Sequence, residues 1–203
     1  GRTGRFLGAE HWQLKAEIVA LSKGFAAGYA PLGAMIADSR LVDPVLDAGG
    51  FVHGFTSAGN PLSCAAGLAV LEELETQGLM ENAEVIGDQL KTQLQALMQR
   101  FPFIGGVRGK GLLLAFELVS DRSTMAPLQP DLNAFVRLVE HAYARGLVIY
   151  ARRTRGGIEG DHFMVCPPLI ITETQVQELL ELLDSSLVAF ATETGLPMSA
   201  AKT

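Results

Sequence analysis

The residue order predicts an α/β protein, and three observations carry that expectation. Short apolar runs at residues 18–22, 34–37 and 112–119 have strand length, and each is bounded by glycine or a polar turn. Longer stretches repeat apolar residues every three to four positions: Ala83, Ile86, Leu90, Leu94 and Leu97 in one, Val176, Leu179, Leu180, Leu183, Leu187 and Phe190 in another. From Phe101 onward strand and helix textures alternate, the order of a layered α/β domain. No internal repeat or low-complexity tract interrupts them.

Composition narrows the function classes. With 203 residues the chain holds one large domain or pieces of two, and 48% hydrophobic against 19% charged residues fits a well-buried protein. A net charge of −6 and a pI near 5.2 speak against a nucleic-acid partner, whose phosphates need a basic face. No uninterrupted apolar run reaches the length of a bilayer span, and the N-terminus lacks the apolar core of a signal peptide. Cys64 and Cys166 have no C-x-x-C spacing and read as reduced core thiols of a cytoplasmic protein. His53 and His141 lack partners at metal-ligand spacing, so no metal is expected. The chain opens without Met on a polar glycine-rich turn, which reads as the start of a fragment.

Taken in order, residues 1–8 form a loop, and residues 18–22 and 34–37 form two short buried strands. Ser39 caps a brief helix that Gly49-Gly50 closes. Residues 51–61 are a loop. A small-residue helix runs from Leu62 to about Thr76, with Ala65, Ala66, Ala69 and Val70 on a closely packable face. Gly78 breaks it, and a longer amphipathic helix ends at Phe101-Pro102. Strands at 104–108 and 112–119 flank Gly109-Lys110-Gly111. Asp131 caps a helix to about Arg145, and a strand follows at 147–150. Residues 152–161 read as a polar loop, and a strand at 163–165 stops at Pro167-Pro168. Thr172-Glu173-Thr174-Gln175 makes a capping box for the last helix, and residues after Thr194 read as a frayed tail.

Lys23 is the only Lys, Arg, Asp or Glu between Glu17 and Asp38. An isolated ammonium in an apolar setting is costly, and condensing the amine with an aldehyde removes the charge. Gly24, Gly28 and Gly33 would let a bulky group approach the backbone, although the same residues also suit an ordinary loop lysine. Thr56, between Gly54 and Gly59, can donate to a phosphate oxygen or simply form a turn. Arg152, Arg153 and Arg155 make the densest basic cluster, and a guanidinium fork suits a carboxylate; a solvated loop is the competing account. Trp12 and His11 sit in a loop that could face a substrate or half-bury an aromatic. Arg108 and Lys110 suit acids near a cleft or a solvated strand entry, His162 reads as structural, and Cys64 as packing. Residues 24–28 do not complete the G-x-G-x-x-G of a dinucleotide site.

Five blocks then carry a resemblance: Gly1-Arg2-Thr3-Gly4-Arg5; Leu21-Ser22-Lys23-Gly24 with Gly28-Tyr29-Ala30-Pro31-Leu32-Gly33-Ala34; His53-Gly54-Phe55-Thr56-Ser57-Ala58-Gly59-Asn60-Pro61-Leu62; Arg108-Gly109-Lys110-Gly111-Leu112; and Pro167-Pro168-Leu169. In this order, and over nearly the whole chain, they resemble the class III pyridoxal-phosphate aminotransferases. The resemblance implies a fold-type-I pyridoxal-phosphate transferase. Residues 1–62 would end the large cofactor domain, 63–100 bridge, 101–194 form the small C-terminal α/β domain, and 195–203 trail. It implies that Lys23 holds pyridoxal 5′-phosphate as a Schiff base and, once displaced, moves a proton as general base and acid. It also implies that Thr56 reaches the phosphate in a neighbouring subunit, and hence a homodimer whose small-molecule partners are an amine and a keto acid. Asn60 and Pro61 read as a helix start.

The family commonly carries an arginine three residues before its Pro-Pro pair, where this chain has Met164. That departure directs the resemblance to the branch acting on primary amines and ω-amino acids with pyruvate, with Trp12, Arg152 and Arg153 as the candidate substrate residues. The acid at the ring nitrogen, the phosphate loop and the ring-stacking aromatic would all precede Gly1. The chain alone is therefore expected to be incomplete and inactive. An aminomutase or decarboxylase on the same scaffold, or a non-catalytic dimerisation module, are the alternatives.

Overall fold

In the computed structural model, which describes residues 1–199, β1 (Ile18–Leu21) and β2 (Ala34–Ala37) pair antiparallel, with Ile18 opposite Ala37 and Leu21 opposite Ala34. The Lys23 segment is thus the connection of a hairpin. α1 (Ser39–Asp47) is capped by Asp38, whose carboxylate accepts the Arg40 N–H at 3.0 Å, one residue earlier than the expected Ser39. α2 (Pro61–Thr76) starts as its sequence dictates. The Asn60 side chain accepts the Ser63 N–H at 3.1 Å and Pro61 opens the first turn, where its missing donor is not needed.

The chain divides into two compact units, residues 7–79 and residues 1–6 together with the chain from Met80 onward. Residues 63–100, expected to bridge two domains, fall on both sides of this division.

Within residues 7–79, Ala26 is the only fully buried apolar side chain. The expectation of buried strands at 18–22 and 34–37 is corrected. β1 alternates exposed and half-exposed residues and Ile18 is 56% exposed, because no layer of side chains in this unit covers the two-stranded sheet. α2 packs locally through Gly67, where a Cβ would stand 2.4 Å from Leu32 Cδ2. Its Ala65 and Ala69 are exposed.

The other unit holds α3 (Leu79–Arg100), β3 (Ile104–Lys110), β4 (Leu113–Asp121), β5 (Ala126–Pro127), α4 (Ala134–Tyr143), β6 (Tyr150–Thr154), β7 (Glu159–Val165) and α5 (Glu173–Thr194). Its antiparallel sheet runs β3-β4-β7-β6, and β5 adds to β4. Strand alternation sends Leu114, Phe116 and Leu118 of β4 and Phe163 and Val165 of β7 into one core with Leu90 and Leu94 of α3, Leu138 of α4 and Leu183, Leu187 and Phe190 of α5. The Phe116 and Phe163 rings stack at 5.1 Å. The capping box forms: Thr172 accepts the Gln175 N–H and Gln175 the Thr172 N–H.

Gly1–Phe6 is sewn to this unit. The Leu112 N–H donates to the Arg2 carbonyl at 3.0 Å, Arg2 donates to the Pro167 carbonyl, and Arg5 pairs with Glu84 at 2.7 Å. Three backbone segments meet without side chains here. A Cβ on Gly87 would lie 2.3 Å from the Gly111 carbonyl carbon, and one on Gly111 2.5 Å from the Thr3 carbonyl carbon.

Three further expectations are corrected. Residues 152–161, read as a loop, are mostly the β6–β7 hairpin, with Arg152 opposite His162 and Arg153 opposite Asp161. Asp131 does not cap α4; Pro130–Leu132 make a short 3-10 turn and Asn133 leads in with φ 50°. Cys64 and Cys166 are exposed rather than core thiols, Cys64 because its helix is covered on few sides. Of the expected tail, residues 200–203 lie outside the described residues. Among the described residues no helix is long and apolar enough to cross a membrane.

Candidate active site

The hairpin connection gives Lys23 an unusual backbone. Ser22 is still extended, and Lys23 turns at φ 56° into the left-handed region, where a Cβ crowds the following carbonyl. Ala27 at φ 48° and Gly28 at φ 84° repeat the conformation, and the turn is closed by Ala27 N–H to Gly24 O at 3.1 Å and Tyr29 N–H to Ala26 O at 2.9 Å. A left-handed residue other than glycine costs on the order of 1–3 kcal/mol, and such strain gathers at functional sites.

The Lys23 side chain is exposed and, among the described residues, makes no hydrogen bond or ion pair. It lines a recess of about 670 Å³ with Ser22, Gly28, Ala30, Pro31, Leu32 and Gly33. A Cβ on Gly24 or Gly28 would meet nothing within 4 Å, so the turn is open on these sides. The apolar enclosure expected from the sequence is not found around this lysine. Backbone strain and an unengaged amine on an open recess set it apart instead. The donor set fits a small aldehyde cofactor: one accessible amine, one hydroxyl, a lining that mixes polar and apolar surface, and a volume within the usual ~300–1,000 Å³ of small-molecule sites.

Thr56 lies in an exposed turn of the same unit, where Ala58 N–H donates to Phe55 O at 2.9 Å and Asn60 N–H to Ser57 O at 3.2 Å. Its hydroxyl carries no hydrogen bond among the described residues. Trp12 is 66% exposed, its ring edge-to-face with His11. Neither Thr56 nor Trp12 is among the residues lining the Lys23 recess.

The arginines of the other unit differ sharply. Arg152 is exposed, its guanidinium 5.5 Å from the centroid of the Tyr150 ring. Arg153 bonds Asp161 at 2.9 Å, with only 11% and 2% of the two side chains exposed, and lies over the Phe135 ring. The side chain of Arg155 is outside the described residues. The Arg153–Asp161 pair is absent from the sequence reading. The period-two register of a hairpin turning at Gly156-Gly157 was the signal that would have found it.

On the opposite face of the sheet Arg108 forms an ion pair with Glu117. The Arg108 hydrogen bond holds the Glu117 carboxyl below its ordinary range, against a smaller opposing effect of burial, and the charges of Arg108 and His162 add to the lowering. Among the described residues no group of three or more His, Cys, Asp or Glu could hold a metal.

Comparisons with known proteins give the family and the fold. An uncharacterized aminotransferase of Bacillus subtilis (strain 168), YodT, is 35% identical over 193 residues, covering 93% of this chain and 43% of its own length. A taurine–pyruvate aminotransferase of Bilophila wadsworthia is 32% identical, covering 97% of this chain and 44% of its own length. A leucine/methionine racemase of Thermococcus litoralis is 31% identical, covering 92% of this chain and 39% of its own length. Among solved structures, an amine transaminase from an uncultivated Pseudomonas species, in its PLP-bound internal aldimine form, superposes with a TM-score of 0.83 at 37% identity, covering 93% of this chain and 42% of that one. A transaminase from the marine bacterium Virgibacillus gives 0.90 at 28% identity, covering 95% and 43%. The chain thus spans less than half the length of these relatives, and its fold is the fold type I of PLP-dependent transaminases. The pattern of the aminotransferase class-III family matches residues 1–187, and the chain belongs to that family.

Proposed function

We propose that this chain supplies the lysine-bearing part of an enzyme that moves an amino group from a primary amine or ω-amino acid to a keto acid such as pyruvate. The single observation that carries the reading is the strained, exposed and unengaged Lys23 at the recess of about 670 Å³. Lys23 would hold pyridoxal 5′-phosphate through its aldehyde, and Thr56 would donate to the phosphate. When bound, the pyridine ring supplies the electron sink, and the protein contributes position and proton transfer.

With its amine uncharged, Lys23 would take a proton at Nζ from the substrate carbon that bears nitrogen, as general base, and would give it back as general acid. The left-handed backbone at Lys23 sets where its side chain leaves the turn. The Thr56 hydroxyl would act in a partner subunit's site, which makes a homodimer the working assembly. The exposed apolar side chains of residues 7–79 support an assembly that covers them. Met164, where the family commonly has an arginine, favours amine and ω-amino acid donors, and Trp12 would face the donor. The two unpaired, exposed thiols support a reducing, cytoplasmic setting.

The likeness to a racemase supports a second reading, in which the same lysine moves the proton but no acceptor is consumed. Protein expressed from the intact gene, given pyridoxal phosphate and a donor amine, separates the two. Consumption that requires pyruvate, and that falls at least about 1,000-fold in Lys23→Ala, supports transamination. Turnover without a keto acid supports the second reading, and unaltered turnover in Lys23→Ala refutes both.

A further inference from the structure

Where the end of β4, the β5–α4 connection and the end of α5 meet, the unit that does not carry Lys23 has a recess of about 340 Å³. That volume lies at the lower end of the ~300–1,000 Å³ usual for small-molecule sites. Its apolar lining is Leu128, only 4% exposed, with Leu132 and Leu196, which pack against the core. Its charged lining is one cation, Arg137, and one carboxylate, Asp131.

Both charges have unused capacity. Asp131 does not cap α4, because the 3-10 turn Pro130–Leu132 ends at Asn133, which leads into the helix at φ 50°. Its carboxylate makes no hydrogen bond or ion pair among the described residues. Arg137, one turn into α4, gives one N–H to Glu193 at 3.2 Å, and the other oxygen of Glu193 lies 2.6 Å from His141 Nε2. The remaining guanidinium N–H groups have no acceptor among the described residues. α5 ends on the recess at Thr194, with Gly195 at φ 72° and no basic side chain in its last turn. The partial negative charge of a helix C-terminus favours a cation there.

These features select a ligand by its charges. A phosphate would meet Asp131, and a diamine would meet Arg137. A molecule of no net charge whose opposite charges are separated satisfies both, and the leucines beside them suit an aliphatic tail. We infer that this recess binds a free aliphatic α-amino acid. The Arg137 fork takes its carboxylate, Asp131 and the end of α5 take its ammonium, and Leu128, Leu132 and Leu196 take its side chain. The occupant joins α4, α5 and the segment between β5 and α4. The site rests on the recess and not on the transaminase reading.

L-Norvaline is the probe, compared with pentanoate, which lacks its amine, and butylamine, which lacks its carboxylate. In the full chain with ¹⁵N-labelled arginine, the Arg137 Nε–H resonance should shift saturably with norvaline, and equally so in Lys23→Ala. By calorimetry in the Lys23→Ala chain, where residue 23 offers no amine, pentanoate and butylamine should each bind at least about tenfold more weakly than norvaline. There Asp131→Asn should weaken norvaline about tenfold and leave pentanoate unchanged, whereas Arg137→Gln should weaken both. Asp131→Asn keeps the side-chain shape, so the test stands even where Arg137→Gln fails to fold. No saturable shift at Arg137, a shift lost in Lys23→Ala, pentanoate or butylamine binding as tightly as norvaline, or unchanged norvaline binding in Asp131→Asn would overturn the site.

Discussion

The two units of this chain are built on different terms. The unit from Met80 onward, with Gly1–Phe6, closes its own core, with Phe101, Phe116, Phe163 and Phe190 all at most 1% exposed. Residues 7–79 bury little: Tyr29 is 85% exposed, Phe55 76% and Leu62 77%. Yet Lys23 belongs to the second kind. The turn proposed to carry the chemistry sits where the chain has least packing of its own, and the stable framework sits elsewhere. Local stability follows buried contacts, so the lysine loop comes from the weak end of the molecule.

Hydrogen exchange should show that contrast most strongly. Amides of β1, β2 and α2 should exchange at least about 1,000-fold faster than those of β4, β7 and α5. Equal protection across both units would end the comparison. Next comes Asp161→Ala, which leaves the buried Arg153 without its partner and should cost about 3–5 kcal/mol in denaturant unfolding. A loss below 1 kcal/mol would mean that Arg153 finds other acceptors.

A paired truncation tests packing directly. Leu183→Ala, at a fully buried position, should cost about 2–5 kcal/mol, whereas Leu62→Ala should stay within about 0.5 kcal/mol. Gly87→Ala should destabilise by about 1–3 kcal/mol, because its Cβ would meet the Gly111 backbone, which is not the movable end of a side chain.

The smallest effect is electrostatic. Glu117 has a lowered carboxyl pKa in the fold, so its contribution is complete above the ordinary carboxylate range and is lost as pH falls through the depressed folded value. With the Arg108 side chain 60% exposed, solvent screens the pair and this amounts to less than about 1 kcal/mol. Comparing the acid limb of stability in wild type and Glu117→Gln checks it: the variant should lack this part of the slope.

Much of this contrast could not be read from residue order. Periodicity located α3 and α5, and capping chemistry placed the starts of α2 and α5 at Asn60 and Thr172, because those signals are local. The β6–β7 hairpin escaped because Arg152 and Arg153 fill strand positions where an apolar residue would have shown the alternation. Its register, and with it the opposite fates of the two arginines, appears only when the strands pair. The apolar runs at 18–22 and 34–37 read as buried, but burial depends on what packs over them, and the unit has nothing to do so. Lys23 was legible as a lone charge among glycines. Its left-handed backbone was not, since nothing in the Leu-Ser-Lys-Gly order requires a positive φ at the lysine rather than at the glycine after it.

The account turns on where a bond to pyridoxal phosphate forms. Incubating the protein with the cofactor, reducing with borohydride and mapping the peptides by mass spectrometry tests this most directly. The account predicts one stable adduct, on the peptide carrying Lys23, and its loss in Lys23→Arg. Equal labelling of Lys15, Lys91 or Lys110, or an adduct that survives the substitution, would contradict it.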